Sequence, residues 1–313
     1  MIIKSTPFVY NMDVLVNPTI MAMSNAILHT VAYADVFDYP LTSGEIHRYL
    51  IGIHTSRETV EQFLRDVRLL TNVEGYYTLP GREMLAKIRR RRERISSQLW
   101  PQAISYGRII AGLPFVHMVA VTGALAMNNV EKGADIDYLI VTEPDRLWFC
   151  RALVLLIGRL AALQGVSLCP NYLVSLRTLD FPDKTLYAAH EIAQMVPLAG
   201  LDVYDQIRER NGWVGRFLPN ADSLPATPLI SSPSVSHSLV RPVLEAVLRT
   251  TPFAYLERWE MHRKIRKLRR EQGASPESVF SADYCKGHAH CHQARTQVAL
   301  GERLNRLGRE SLS

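Results

Sequence analysis

Residues 115–142 constrain the chain more than any other stretch. FVHMVAVTG runs apolar into a glycine, GALAMNNV has the length of a short helix, and GADIDYLIVT is a second apolar run. The pattern predicts strand, glycine turn, short helix, strand. Within it, Asp135 and Asp137 lie two apart. On a strand such residues point to one face, leaving Ile136 and Tyr138 on the other. Side-by-side carboxylates repel, and sharing a divalent cation relieves the repulsion. Mg²⁺ takes hard oxygen ligands and is typically held by one or two carboxylates plus substrate phosphates. Two such ions can hold the attacking and leaving oxygens of a phosphoryl displacement. Gly123 can adopt backbone angles that bring N–H groups near an anion, and the helix starting there offers its free N–H groups to the same anion. Asp135 and Asp137 are therefore the candidate metal ligands. Thr122, Gly123, Ala124 and Asn128 are the candidates for the phosphate side.

The surrounding chain supplies the rest of a small α/β unit. Pro144 and Asp145 open a long helix to about Gly165, NYLVSLRTL reads as a third strand, and helices follow near 184–195 and 201–210. A chain of 313 residues exceeds what one core usually fills, so two or three modules are expected. The predicted fold class is α+β and multi-domain, with a mixed-sheet domain over 113–220. Ahead of it, residues 1–80 show helical spacing from Met21 to Ala34. A helix capped by Thr42 or Ser43 comes next, then one capped by Ser56 with Val60, Phe63, Leu64 and Val67 at three and four. NVEGYYTLPG then reads as a hairpin turning at Gly75. Three helices and a two-stranded wing resemble a winged-helix domain. Residues 81–112 read as a helical connector broken at Pro101. Residues 221–238 form a Pro/Ser linker or loop. Residues 239–313 read as a helical C-terminal region, divided near Pro252 and interrupted at GASPES.

The unit VTGALAMNNVEKGADIDYLIVT resembles the nucleotidyltransferase fold of the DNA polymerase beta superfamily. That signature is Gly-Ser, then some ten residues, then carboxylate, hydrophobe, carboxylate on a strand. Gly123 matches the glycine, and Asp135 and Asp137 match the two carboxylates. The serine falls on Ala124, and Ala134 stands where Ser or Asp is common. Both departures weaken the grip on phosphate and leave the metal pair intact. The resemblance implies Mg²⁺, two ions with bound nucleotide, and transfer of a nucleoside monophosphate from an NTP to a hydroxyl or phosphate acceptor. It also implies a third carboxylate from a later strand. Asp180, closing NYLVSLRTLD, is the first choice; Asp183 lies in the next turn, and Glu191 in a predicted helix reads as solvated or locally paired. The other functional reading is a winged-helix nucleic-acid-binding or regulatory protein with a degenerate nucleotide-binding domain.

Charge and cysteine narrow the partners. A formal charge of +6 permits an anionic partner without requiring one. The runs Arg89–Arg94 and HRKIRKLRR near 262–270 are either solvated helix faces or phosphate-contacting ones. Nucleic acid is possible but not favoured, because the third predicted helix carries Glu58, Glu61 and Asp66. Four cysteines do not make a secreted disulfide framework. Cys150 and Cys169 read as small buried hydrophobes. CKGHAHCHQAR holds zinc-type residues (Cys285, His288, His290, Cys291, His292), with local packing or a phosphate contact by Lys286 and a histidine as the other readings. Trp213 reads as a core anchor. The N-terminal residues lack signal-peptide order, and Leu147–Leu163 is short and interrupted by Arg151 and Arg159. A cytoplasmic protein without a membrane span is the expectation.

Overall fold

The computed structural model describes residues 18–66, 69–223, 240–271, 278–287 and 292–310. The expected linker over 221–238 lies almost wholly outside them, as does the N-terminal stretch before Pro18. The architecture is α+β in several parts: a helical N-terminal part, a central mixed sheet and a largely helical C-terminal part.

The N-terminal part holds α1 (Pro18–Asp35), α2 (Ser43–Arg48), α3 (Arg57–Asp66) and the hairpin of β1 (Thr71–Val73) and β2 (Tyr76–Thr78). Thr42 and Glu45 form a reciprocal capping box at the start of α2. Ile27, Val31, Leu41, Ile46, Leu50 and Val60 close a core of their own. Next comes α4 (Met84–Ala111), one continuous helix with Pro101 inside it rather than the broken connector expected. Burial on both sides of the proline explains this. Ser96, Trp100, Ala103, Gly107 and Ile110 recur at three and four and lie against the sheet. A Cβ on Gly107 would come within 2.3 Å of Leu198 Cδ1, so glycine lets α4 approach the sheet without displacing that side chain.

The central part runs β3 (Val116–Val121), α5 (Gly123–Ala126), β4 (Ile136–Thr142), α6 (Leu147–Ala162), β5 (Leu168–Ser175), α7 (Leu186–Gln194), β6 (Val196–Ala199) and α8 (Leu201–Arg210). A 3-10 turn, Gly212–Arg216, follows and buries Trp213. The C-terminal part holds α9 (Val240–Leu248), α10 (Thr251–Glu271), β7 (Val279–Phe280), β8 (Tyr284–Lys286) and α11 (His292–Glu310). The six-stranded sheet has the order β6-β3-β4-β5-β8-β7. β4 and β5 are parallel, joined through α6; the other neighbours are antiparallel. Three of these strands are absent from the sequence reading. β6 is four residues with a proline, and the β7–β8 hairpin interrupts a region read as helical.

Strand alternation sorts the side chains. Val119, Val121, Tyr138 and Ile140 face α4 and α6, while Met118, Ala120, Leu139 and Val141 face α7 and α8. Asp137, two before Leu139, is thereby aimed at the α7 side. The Tyr138 hydroxyl donates to Ala103 O at 2.6 Å, fixing β4 to α4. α11 returns to the N-terminal part, where Leu300, Leu304 and Leu307 pack on its core and Arg303 pairs with Asp35 at 2.6 Å.

The arginine run is structural. Arg89 is buried, donates to Glu45, Glu93 and Pro40 O, and lies 3.8 Å over the Tyr39 ring. Arg90 pairs with Glu74. Arg91 and Arg92 both pair with Glu131, and Arg92 also reaches Phe37 O, Asp38 O and Asn129. These contacts join α4 to the turn after α1 and to the loop before β4.

Candidate active site

A cavity of about 630 Å³ opens where the N-terminal part meets the central sheet. Segments of the central sheet, α7 and the N-terminal part build it. Gly123 and Ala124 come from the turn after β3, and Asp135 and Asp137 from the start of β4. Cys169 and Asn171, two apart on β5, add one face of that strand. α7 contributes Tyr187, His190, Glu191 and Gln194. Tyr33, Phe37, Tyr39 and Tyr49 of the N-terminal part form an aromatic wall opposite.

Gly123 has φ +64°, a conformation that disfavours side chains, and a Cβ there would lie 2.5 Å from Asp137 Oδ2. Bare backbone therefore sits directly against the carboxylate. Thr122 N donates to Asp137 O at 3.0 Å, which locks the turn to β4.

The carboxylates are electrostatically strained. Burial pushes Asp137 up to about 6, the Asp135 charge adds to the rise, and a hydrogen bond from the Cys169 thiol partly offsets it. Glu191 is pushed up to about 7, chiefly by burial and then by the Asp137 charge, with Lys286 acting in the opposite sense. Lys286 is itself buried and donates to Asp183 at 2.7 Å. The Cys169 thiol is pushed up to about 12 by burial and by Asp137, so it stays protonated and able to donate.

His190 is held neutral. Burial pushes it down to about 3. Its ring stacks on Tyr33 with centroids 4.1 Å apart, and its Nδ1 lies 3.2 Å from the Gln194 amide nitrogen. An amide nitrogen only donates, so Nδ1 accepts and Nε2 carries the proton. Nε2 is buried and has no partner among the described residues.

The predicted site residues divide into two groups. Asp135, Asp137, Gly123 and Ala124 line the cavity together. Thr122 does not line it; its Oγ1 is buried without a partner among the described residues and borders a separate void of about 20 Å³ shared with Glu191. The Asn128 Oδ1 accepts from Trp100 Nε1 at 2.7 Å and so ties the loop to α4; its neighbour Asn129 lines the cavity instead. Asp180 lies beyond the end of β5, exposed, 3.9 Å from Lys184 and away from the cavity lining. Glu191, on a helix rather than a later strand, lines the cavity together with Asp135 and Asp137. The sequence carried one signal for it: Glu191 is the only acidic residue in α7, LYAAHEIAQ. Cys169 was misread because β5 starts at Leu168, three residues ahead of the predicted strand, which sets Cys169 opposite Asp137 in register.

Among the described residues, no group of three or more His, Cys, Asp and Glu side chains is gathered tightly enough to hold a metal unaided. The Asp135–Asp137 pair is an all-oxygen donor set, the kind suited to Mg²⁺ whose remaining ligands are water and phosphate. Cys285 lies in the sheet core on β8. His288, His290 and Cys291 fall outside the described residues, while His292 reaches the cavity at the start of α11. No protein-family model, curated protein or solved structure matches the chain.

Proposed function

We propose that the chain is a metal-dependent nucleotidyltransferase. It would move a nucleoside monophosphate from an NTP to a hydroxyl or phosphate acceptor. The observation that carries this reading is the convergence of Asp135, Asp137 and Glu191 on one cavity, beside a glycine turn that presents bare backbone. Order and pairing around the site support it: strand, glycine turn, short helix, antiparallel strand with the acidic pair, then a crossover helix to a parallel strand.

Asp135 and Asp137 would hold Mg²⁺, which when bound neutralises phosphate charge and orients the displacement. Gly123 and Ala124 would place backbone against the phosphates. Among the described residues, no Lys or Arg lines the cavity, so triphosphate charge has to be met there by cations that arrive with it. Glu191 suits the base: a carboxyl titrating near 7 accepts a proton at neutral pH. In the transfer, the acceptor oxygen bonds to the α-phosphorus, its proton passes to Glu191, and the bond to the leaving pyrophosphate breaks. The N-terminal part, which we read as a winged-helix unit, would form the acceptor wall through Tyr33, Phe37, Tyr39 and Tyr49.

The alternative, a nucleic-acid-binding or regulatory protein with a degenerate nucleotide site, is favoured by Ala124 and by the missing basic lining. Calorimetric titration with each of the four NTPs, with and without Mg²⁺, separates the two. Mg²⁺-dependent binding supports the transferase; no binding of any NTP supports the alternative.

A further inference from the structure

The inner face of α10 is fully engaged. Phe253, Glu257, Met261, Ile265 and Leu268 recur at three and four. Leu268 is buried, the other apolar members pack on the core that α6 shares, and Glu257 accepts the N–H groups of Trp148 and Phe149 at 2.8 and 2.6 Å. The outer face follows the complementary spacing. Tyr255, Leu256 and Trp259 are 65%, 47% and 58% exposed, and Arg263, Arg266 and Arg270 continue the same stripe toward the C-terminal end.

We propose that this face docks on an anionic lipid surface, with phospholipid headgroups as the ligand. Among the described residues, the groove of about 330 Å³ beside this stripe is lined by Arg263, Arg266, Lys267 and Arg270. Arg263 also bonds Glu260 and stacks 5.2 Å over Trp259, and Arg258 stacks 5.3 Å over Tyr255, so cation and ring are presented together. A helix with aromatic and aliphatic side chains on one exposed stripe, flanked by arginines, is suited to the headgroup boundary. There the rings sit at interfacial depth and the guanidinium groups meet phosphate. Tyr255 and Leu256 give the same face apolar surface that offers nothing to a nucleic-acid backbone. A second copy on this face would bring its basic groove onto a like charge. None of the described helices is long and apolar enough to cross a membrane, so the contact is with the surface.

Trp259 makes this testable in the full chain, because Trp100, Trp148 and Trp213 are all buried. Its emission is followed as the protein is titrated with vesicles of phosphatidylcholine alone, or with about one third phosphatidylglycerol, and binding is checked by co-sedimentation. The expected result is a blue shift and sedimentation with the anionic vesicles only, both lost at high salt. Arg266→Gln and Arg270→Gln should each weaken partitioning about fivefold, the worth of one basic residue at such a surface. Both side chains are exposed, and an unchanged melting temperature shows that the fold is kept. Trp259→Phe should abolish the shift and leave sedimentation in place. Four results overturn the proposal: equal binding to both vesicle types; no binding at low salt; a blue shift that grows with protein concentration without lipid, which marks a second copy; or a shift with duplex RNA and none with vesicles.

Discussion

Asp137 and Cys169 are register partners on the parallel strands β4 and β5, and the Cys169 thiol donates to the Asp137 carboxylate. That bond is the one interaction identified as holding Asp137 down against burial and the Asp135 charge. Cys169→Ala should therefore raise Asp137 further above its ordinary range, by roughly one pH unit, or ~1.4 kcal/mol. Cys169→Ser, which keeps a donor, should restore most of the difference. Carbon-detected NMR titration of labelled aspartate reads this directly. An unmoved Asp137 in the alanine variant would show that the thiol does not bear on the carboxylate.

Arg89 answers a different question, namely what joins the N-terminal part to α4. Its guanidinium holds Glu45 at 2.9 Å and Glu93 at 2.7 Å while buried. Arg89→Met removes the cation that Glu45 pairs with and should cost about 3–5 kcal/mol of unfolding free energy. The pH dependence has a definite sign. Burial raises Glu45, but the Arg89 charge and hydrogen bonds outweigh it, so the folded value lies below the ordinary one. The stabilisation is present above the ordinary glutamate value and is lost as pH falls through the lowered folded value. Denaturant melts between pH 7 and about 3 should show that loss in the wild type and its absence in Arg89→Met. Parallel curves would refute the assignment.

The same contacts predict how the arginine run responds to nucleic acid. Arg91 and Arg92 are spent on Glu131 and Arg90 on Glu74. Changing Arg90, Arg91 and Arg92 to Gln should lower the melting temperature and leave affinity for a labelled duplex, measured from about 50 to 300 mM salt, unchanged. A steep loss of duplex binding in the variant would place a phosphate contact on α4 after all.

Ala124 tests the phosphate side. The residue lines the cavity next to Gly123 and carries no hydroxyl. If triphosphate lies there, Ala124→Ser should tighten it by ~0.5–1.5 kcal/mol, the net worth of one hydrogen bond. Gly123→Ala should act in the other direction, because a Cβ at φ +64° meets Asp137 Oδ2 at 2.5 Å. An Ala124→Ser variant with an unaltered dissociation constant argues against phosphate in that turn.

Much of the fold was legible because its signals are local. The apolar runs of β3 and β4, the glycine between them, and the capping pair Thr42 and Glu45 each act over a few residues. The short pieces escaped. β6 and the β7–β8 hairpin are strands because the sheet edges beside them need partners, which no window of sequence contains. Pro101 was read as a break because its local rule is strong; packing of Trp100 and Ala103 on the sheet overrode it. In the site, Asp135, Asp137 and Gly123 could be found from spacing alone. His190 and the aromatic wall could not, and Glu191 only as the one acid of its helix, since they reach the cavity through the packing of α7 and the N-terminal part against the sheet.

The central claim is that Asp135 and Asp137 hold a metal for nucleotide while Glu191 serves the chemistry. Calorimetric titration of Mg²⁺–NTP into wild type, Asp135→Asn, Asp137→Asn and Glu191→Gln tests it most directly, with melting curves confirming that each variant folds. The account predicts that both asparagine variants lose Mg²⁺-dependent binding and that Glu191→Gln keeps it. Retention of wild-type Mg²⁺ dependence by both asparagine variants would contradict it.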